Sequence, residues 1–211
     1  MNKLLPLAAV VLLSGCAHKL GEFNEAGGIN ATRSTCPAVA IPAATGDITL
    51  FDPPASRDAR AIDVTAYMTN VRVSCAPQGD QVVAQADFDV IGHRRDTSQA
   101  RDVTLPYFST VVQGGNTVIA KRISRVALHF DAGQADARTR GSGGAVVSLA
   151  AATLPEAVVT KINRKRKADD ADASIDPMAA PDVKAALARA SFELLVGFQL
   201  TQEQLRYNAT R

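Results

Sequence analysis

The chain has 211 residues, a formal net charge of +2 and 46% hydrophobic residues, with no tryptophan and few aromatic residues. This length suits one domain with a core of its own once a leader is removed. The small net charge argues against nucleic-acid binding, which needs a basic surface, and the scarcity of aromatic rings argues against a surface that stacks sugars.

The first 15 residues have the layout of a secretory signal peptide. Lys3 supplies the positive start, and an apolar run follows at 4–13. Such a run is too short to span a bilayer as a mature helix. Because no later stretch is long and apolar enough either, the sequence predicts no transmembrane helix in the mature protein.

The sequence Leu13-Ser14-Gly15-Cys16 follows this run. It resembles the lipobox of bacterial lipoprotein precursors, with the small residues that a signal peptidase needs before the cysteine. The resemblance implies that residues 1–15 are removed and that Cys16 carries the lipid, since two or more acyl chains anchor stably. Ala17, where enterobacterial lipoproteins of the inner membrane have aspartate, favours the outer membrane, with an inner-membrane anchor as the alternative.

Two further cysteines, Cys36 and Cys75, remain after lipidation of Cys16. In the oxidising periplasm, and without a Cys-x-x-Cys spacing, they predict a structural disulfide. The polar residues 16–34 predict a tether between the lipid and the domain.

Period-two alternation predicts strands along most of the remaining chain. In the segment 61–75, Ile62 to Met68 and Val71 to Cys75 alternate on opposite parities. A β-bulge near Thr69-Asn70 would return both sets to one face. Strands are predicted at 36–41, 47–51, 61–75, 82–90, 103–112, 117–123, 125–130, 145–149 and 192–200, and the Gly-rich residues 132–144 are predicted to be a loop.

Helices are predicted in three short segments. Residues 156–167 and 182–190 have helical spacing, and residues 163–182 are predicted to be a surface insertion because prolines interrupt them. Thr201 to Gln204 resembles a capping box, which predicts a short C-terminal helix.

Many short strands with little helix predict an all-β fold. We expect one domain at 35–211, an antiparallel β-sandwich of the immunoglobulin or fibronectin type with a short C-terminal helix, or alternatively a small antiparallel β-barrel. The body also resembles the uncharacterised single-domain lipoproteins of Gram-negative envelopes, a resemblance that implies no activity.

The motifs of catalysis and metal binding are missing from the sequence. His18, His93 and His129 lack a second ligand at zinc spacing, and Ser142 lies in a Gly-rich run without the context of a nucleophile elbow. Aspartates at 170–174 alternate as in a calcium loop, but the glycine and the glutamate of that loop are missing. We therefore predict no catalytic residues, no metal and no cofactor, and an enzyme is not expected.

Two charged segments are candidates for contacts. Residues 92–98, with His93-Arg94-Arg95-Asp96, are predicted to form a loop between strands, where binding modules place contacts. The second segment is a basic cluster, which consists of Lys161, Arg164, Lys165, Arg166 and Lys167. This cluster either contacts an anionic partner or is a solvated face that the following aspartates partly neutralise.

The sequence therefore predicts a lipid-anchored envelope protein at the periplasmic face of the outer membrane. Its expected role is structural, as an accessory subunit that binds another envelope protein through loops or an edge strand. The alternative is a binding module for a small molecule or an envelope polymer, which would need an apolar cleft with a few polar groups.

Overall fold

The computed structural model describes residues 34–164, 169–170 and 175–210, and its strands form two sheets. The predicted all-β sandwich with a short C-terminal helix is confirmed. The strands are β1 (Ala38–Ala40), β2 (Asp47–Phe51), β3 (Ile62–Gln78), β4 (Gln81–Arg94), β5 (Arg101–Gln113), β6 (Thr117–Phe130), β7 (Asp136–Ser148) and β8 (Phe192–Phe198). The helices are α1 (Leu149–Ala152), α2 (Glu156–Asn163), α3 (Pro181–Ala190) and α4 (Gln202–Thr210).

Each sheet contains four strands. One sheet has the order β1-β8-β5-β6 and the other the order β2-β3-β4-β7. All neighbouring strands are antiparallel except β1 and β8, which run parallel. The chain changes sheets between β4 and β5 and again between β6 and β7, so loops at one end of the sandwich join the two layers.

The core lies between the two sheets and follows the alternation of the sequence. In β4 the even-numbered residues from Val82 to Val90 are at most 1% exposed, and in β8 Leu194, Val196 and Phe198 are fully buried. Phe88 of β4 meets the Tyr107 ring of β5 edge-on, with ring centroids 5.2 Å apart. Because apolar residues alternate along both β4 and β8, the apolar faces of the two sheets meet in one layer.

The predicted β-bulge in β3 is confirmed. The register with β4 shifts between Thr69 and Arg72, and Asn70 has a positive φ of 53°. Beyond the bulge Cys75 packs against the core as expected, as does Val71. Val73 was expected there too, but it stays 53% exposed, because β2 pairs with β3 only as far as Tyr67 and leaves the later half of β3 poorly covered.

The predicted loop at 132–144 is wrong for most of its length, because Asp136–Ser148 is a strand that pairs with β4 throughout. Its glycines permit the two sheets to approach closely. A Cβ atom on Gly143 would lie 2.7 Å from Ser109 Cβ in the opposite sheet. At the same place the Tyr107 hydroxyl donates a hydrogen bond of 2.7 Å to the carbonyl oxygen of Ser142.

We predict that Gly143→Val lowers the free energy of unfolding by about 2–3 kcal/mol, because Ser109 Cβ is fixed to its backbone and cannot rotate away. Gly144→Val is the matched control, since a Cβ there meets only the Ala84 carbonyl oxygen at 3.6 Å. Urea unfolding of both variants tests this prediction. Equal losses at the two positions would contradict the close approach.

The disulfide between Cys36 and Cys75 is confirmed. Cys36 lies two residues before β1 of one sheet, while Cys75 lies in β3 of the other sheet, at a sequence separation of 39. The bond therefore ties the first residues of the sandwich to its opposite layer.

The helices between β7 and β8 cover one end of the sandwich. α2 ends at Asn163, earlier than expected, and α3 buries Val183, Ala186 and Ala190. The predicted surface insertion 163–182 therefore leads into a packed helix, with part of the insertion outside the described residues. The capping box before α4 is confirmed, since Gln204 N donates to Thr201 Oγ1 at 3.2 Å and Thr201 N to Gln204 Oε1 at 2.9 Å.

Candidate functional site

One side of the sandwich is closed by hydrogen bonds around β1 and β2. The segment between these strands bonds to both sheets, because Phe198 N donates to Thr45 O at 2.8 Å and Met68 N donates to Gly46 O at 2.7 Å. Helix α4 lies against β2, where the Asn208 amide donates to the carbonyl oxygens of Ala44 and Asp47. These contacts leave little strand edge for a partner on this side.

The opposite side has two long edge strands, β6 and β7. β6 pairs with β5 along one edge, and no strand pairs with its other edge within the described residues. Its inward residues Val126, Leu128 and Phe130 are buried, whereas Ala120 and Arg122 are exposed. The opposite sheet therefore covers only the C-terminal half of β6.

We call residues 117–125 of β6 the open edge. Both faces of this segment are largely exposed, and its three large aliphatic side chains are among the most exposed of their kind: Val118 at 61%, Ile119 at 48% and Ile123 at 58%. Large apolar side chains clustered on an unpaired strand are typical of an interaction site or an aggregation liability.

The register of β6 on β5 assigns the side chains of the open edge to two faces. Lys121, Ile123 and Arg125 pair with Thr110, Phe108 and Pro106, which lie on the face of β5 turned away from the core. Cross-strand partners share a face, so these three side chains form one outward row. Val118 is opposite Val112 on the same face, whereas Ala120 and Arg122 have inward partners and Ile119 falls at a register shift. The two strands predicted at 117–123 and 125–130 form one continuous strand, β6.

The charge on the open edge is entirely positive. Lys121, Arg122 and Arg125 lie within it, and no aspartate or glutamate occurs anywhere from residue 103 to residue 130. Lys121 Nζ lies 5.2 Å from the centre of the Phe108 ring, a cation–π distance that holds the ammonium group over an apolar surface.

The second long edge, β7, differs from the open edge in its charge. Its Arg140 faces a carboxylate, because Arg140 Nε lies 3.5 Å from Asp89 Oδ1, and Arg72 of the neighbouring β3 lies 3.7 Å from the same atom. A hydrogen bond from Asn70 lowers the pKa of Asp89, burial opposes this effect, and the two arginines reinforce it. The positive charge beside β7 is therefore compensated within the sheet, and that of the open edge is not.

The described residues that were singled out from the sequence lie outside the open edge. Cys16 lies outside the described residues, as do Lys165, Arg166 and Lys167 of the basic cluster. Lys161, which begins the cluster, bonds both oxygens of Asp182 at 2.8 Å and lowers the pKa of that carboxyl group. Its charge is thus already paired inside the helical region.

The charged segment at 92–98 was expected to present its side chains on a loop, which is wrong for two of them. His93 and Arg94 are the last residues of β4, and Arg94 is only 2% exposed. Arg95 remains exposed beyond the strand, and the Asp96 carboxylate accepts a hydrogen bond from Ser98 N at 2.9 Å.

The two described histidines each lie beside aspartates. His93 Nδ1 is 2.8 Å from Asp136 Oδ1, and His129 Nδ1 is 2.7 Å from Asp102 Oδ1. The hydrogen bond with Asp102 raises the pKa of His129. Within the described part of the chain, no three His, Cys, Asp or Glu side chains are grouped so that they could hold a metal ion.

No protein-family model, curated protein or solved structure matches this chain. Among the described residues, no helix combines the length and the hydropathy that crossing a membrane requires. The role of the protein therefore has to be inferred from its own surface.

The open edge was missed in the sequence analysis, which treated 117–123 as an ordinary strand. Two signals could have found it. Ile123 has the opposite parity to the buried Val126, Leu128 and Phe130, and no acidic residue occurs from 103 to 130, which is the β5–β6 hairpin apart from the first two residues of β5.

Proposed function

We propose that this protein is a lipid-anchored adaptor of the bacterial cell envelope, which binds another protein by pairing a strand with the open edge. The observation that carries the proposal is the exposed, unpaired half of β6 with Val118, Ile119 and Ile123. Main-chain hydrogen bonds to an added strand supply affinity in this mode of recognition, and pockets for alternate side chains supply specificity.

The energetics of the exposed aliphatic side chains support strand addition. Full burial of one such side chain is worth about 1.5–3 kcal/mol, so covering Val118 and Ile123 together contributes several kcal/mol to a complex. An added strand would also bond the N–H and C=O groups along the edge of β6 that pairs with no other strand among the described residues.

The lipobox resemblance at Leu13 to Cys16 supports the anchor, and Ala17 supports the periplasmic face of the outer membrane as its place. In cells, Cys16→Ala is expected to abolish labelling with a palmitate analogue and to release the protein from the membrane fraction. Ala17→Asp is expected to move the protein toward the inner membrane on a density gradient. Continued lipid labelling of Cys16→Ala would refute the anchor.

The binding edge is tested by placing a photo-crosslinking amino acid at position 123 in the full chain in intact cells. Position 146 is the matched control, because Val146 lies on the other long edge strand and is also 58% exposed. We expect one protein partner to be captured from position 123 and none from position 146.

The substitution Ile123→Asp is expected to weaken capture of that partner at least tenfold, measured with a crosslinker at position 121. Val146→Asp is expected to leave capture unchanged, and both variants should unfold at the same temperature as the unaltered protein, since both side chains are exposed. Equal capture with the two variants would refute the open edge as the binding site.

A further inference from the structure

We infer that the segment bound by the open edge is an extended, acidic strand with carboxylates at positions i and i+4 and an aliphatic side chain at i+2. This inference rests on the proposed function and specifies the partner of the same site. It follows from the outward row of Lys121, Ile123 and Arg125, in which a cation, an aliphatic side chain and a second cation alternate on one face.

The spacing of the partner's side chains follows from the geometry of paired strands. Residues directly opposite each other share a face, with their Cβ atoms about 4.5–5.5 Å apart. An added strand therefore brings every second side chain against the outward row. Carboxylates opposite Lys121 and Arg125 fall four residues apart, and the side chain between them packs on Ile123.

The cations of this row have no carboxylate partner of their own. Among the described residues, no ion pair involves Lys121, Arg122 or Arg125, whereas Arg57, Arg101 and Lys161 elsewhere on the surface each pair with a carboxylate. A ligand that brings two carboxylates thus adds ion pairs without breaking any. In an antiparallel pairing, Arg122, on the other face, lies opposite position i+3 and is placed to bind a third carboxylate there.

A second copy of this chain does not fit the same edge. An antiparallel pairing that brings the two Ile123 side chains together would place the Lys121 position of each copy opposite the Arg125 position of the other. Like charges directly opposite each other destabilise a strand pair. The charge pattern therefore favours a different, acidic chain.

A membrane surface fits the edge less well than a peptide does. Anionic lipid headgroups would attract Lys121 and Arg125, and Ile123 could enter the lipid. Insertion would, however, carry the unpaired N–H and C=O groups of the β6 edge away from water, at a cost of several kcal/mol for each group. A bound strand satisfies those same groups.

The inference is tested with three fluorescent nine-residue peptides and the full lipidated chain in detergent micelles. The first peptide has glutamate, valine and glutamate at alternate positions, with threonine between them. In the second peptide glutamine replaces both glutamates, and in the third peptide lysine replaces them. We expect the glutamate peptide to bind about tenfold tighter than the glutamine peptide and to lose most of this advantage at 1 M salt.

A charge exchange makes the test specific to the open edge. The double variant Lys121→Glu with Arg125→Glu should reverse the preference, so that the lysine peptide binds more tightly than the glutamate peptide. The control Arg95→Glu with Lys184→Glu changes the net charge equally at exposed positions outside the open edge and should keep the original preference. Thermal unfolding of both variants shows whether they fold.

Each other outcome overturns the inference in a distinct way. Equal binding of the three peptides, or no binding of any, refutes the acidic pattern of the partner. The proposed function still stands in that case if a crosslinker at position 123 captures a protein in cells. Binding to vesicles with anionic lipid that depends on Ile123, without any preference among peptides, assigns the edge to the membrane. A crosslinked partner segment without acidic residues also refutes the inference.

Discussion

Replacing Arg94 with alanine is expected to lower the free energy of unfolding by about 4 kcal/mol. The guanidinium group is buried and donates three hydrogen bonds to carbonyl oxygens: Nε to Gln134 at 2.9 Å, Nη1 to Gln99 at 2.6 Å and Nη2 to Asp131 at 2.7 Å. It also lies 5.2 Å from the centre of the Phe130 ring.

These bonds explain why the loss should be so large. The three carbonyl groups belong to the two loops in which the chain passes from one sheet to the other, after β4 and after β6. Alanine would leave the carbonyl oxygens of Gln99 and Gln134 without this donor, would leave Asp131 O with only the bond from Gln134 N at 3.0 Å, and would open a cavity beside Phe130. Arg94→Lys should recover only part of the loss, since an ammonium group lacks the planar fork that reaches three acceptors.

Urea unfolding of Arg94→Ala, Arg94→Lys and Arg95→Ala measures these effects. Arg95 is the matched control, because its side chain is exposed and only its backbone N–H bonds to Asp63 O, at 3.0 Å. A loss below about 1 kcal/mol for Arg94→Ala, or an equal loss for Arg95→Ala, would show that the buried guanidinium does not hold the two loops together.

Breaking the disulfide between Cys36 and Cys75 is also expected to lower the free energy of unfolding strongly. For a loop of about 40 residues, the chain-entropy relation gives roughly 3–4 kcal/mol of stabilisation, which Cys36→Ser and Cys75→Ser should each remove in full. The double variant should be no less stable than either single variant, because all three lack the same bond.

A reducing agent provides the control for the disulfide. Dithiothreitol should lower the stability of the unaltered protein to that of Cys36→Ser and leave the variant itself unchanged. Additive losses in the double variant would instead mean that each cysteine contributes through its own packing.

Several parts of the fold could be predicted from local sequence. The period-two pattern located β4 and β8, the change of parity located the bulge at Asn70, and the Thr201 to Gln204 pattern located the cap of α4. These features depend on residues within a few positions of one another. The pairing of Cys36 with Cys75 was also predictable, since only two cysteines remained for the domain.

Other parts depended on contacts between residues distant in sequence. β7 has the composition of a loop, and it is a strand because it pairs with β4 along its whole length, while at Gly143 Ser109 of the opposite sheet leaves no room for a side chain. Arg94 looks like a surface charge and is buried because two distant loops bring three carbonyl groups to it.

By itself the sequence predicted most strands and the disulfide, because each is encoded in local pattern or in residue type, and the lipobox resemblance is what supports the proposed leader and anchor. Only the tertiary structure decided which strands lie at the edges and how far the sheets cover each other. Strand order depends on non-local pairing, which no local pattern records. The open edge exists because the second sheet stops short of covering β6, and that could not be read from residues 117–125 alone.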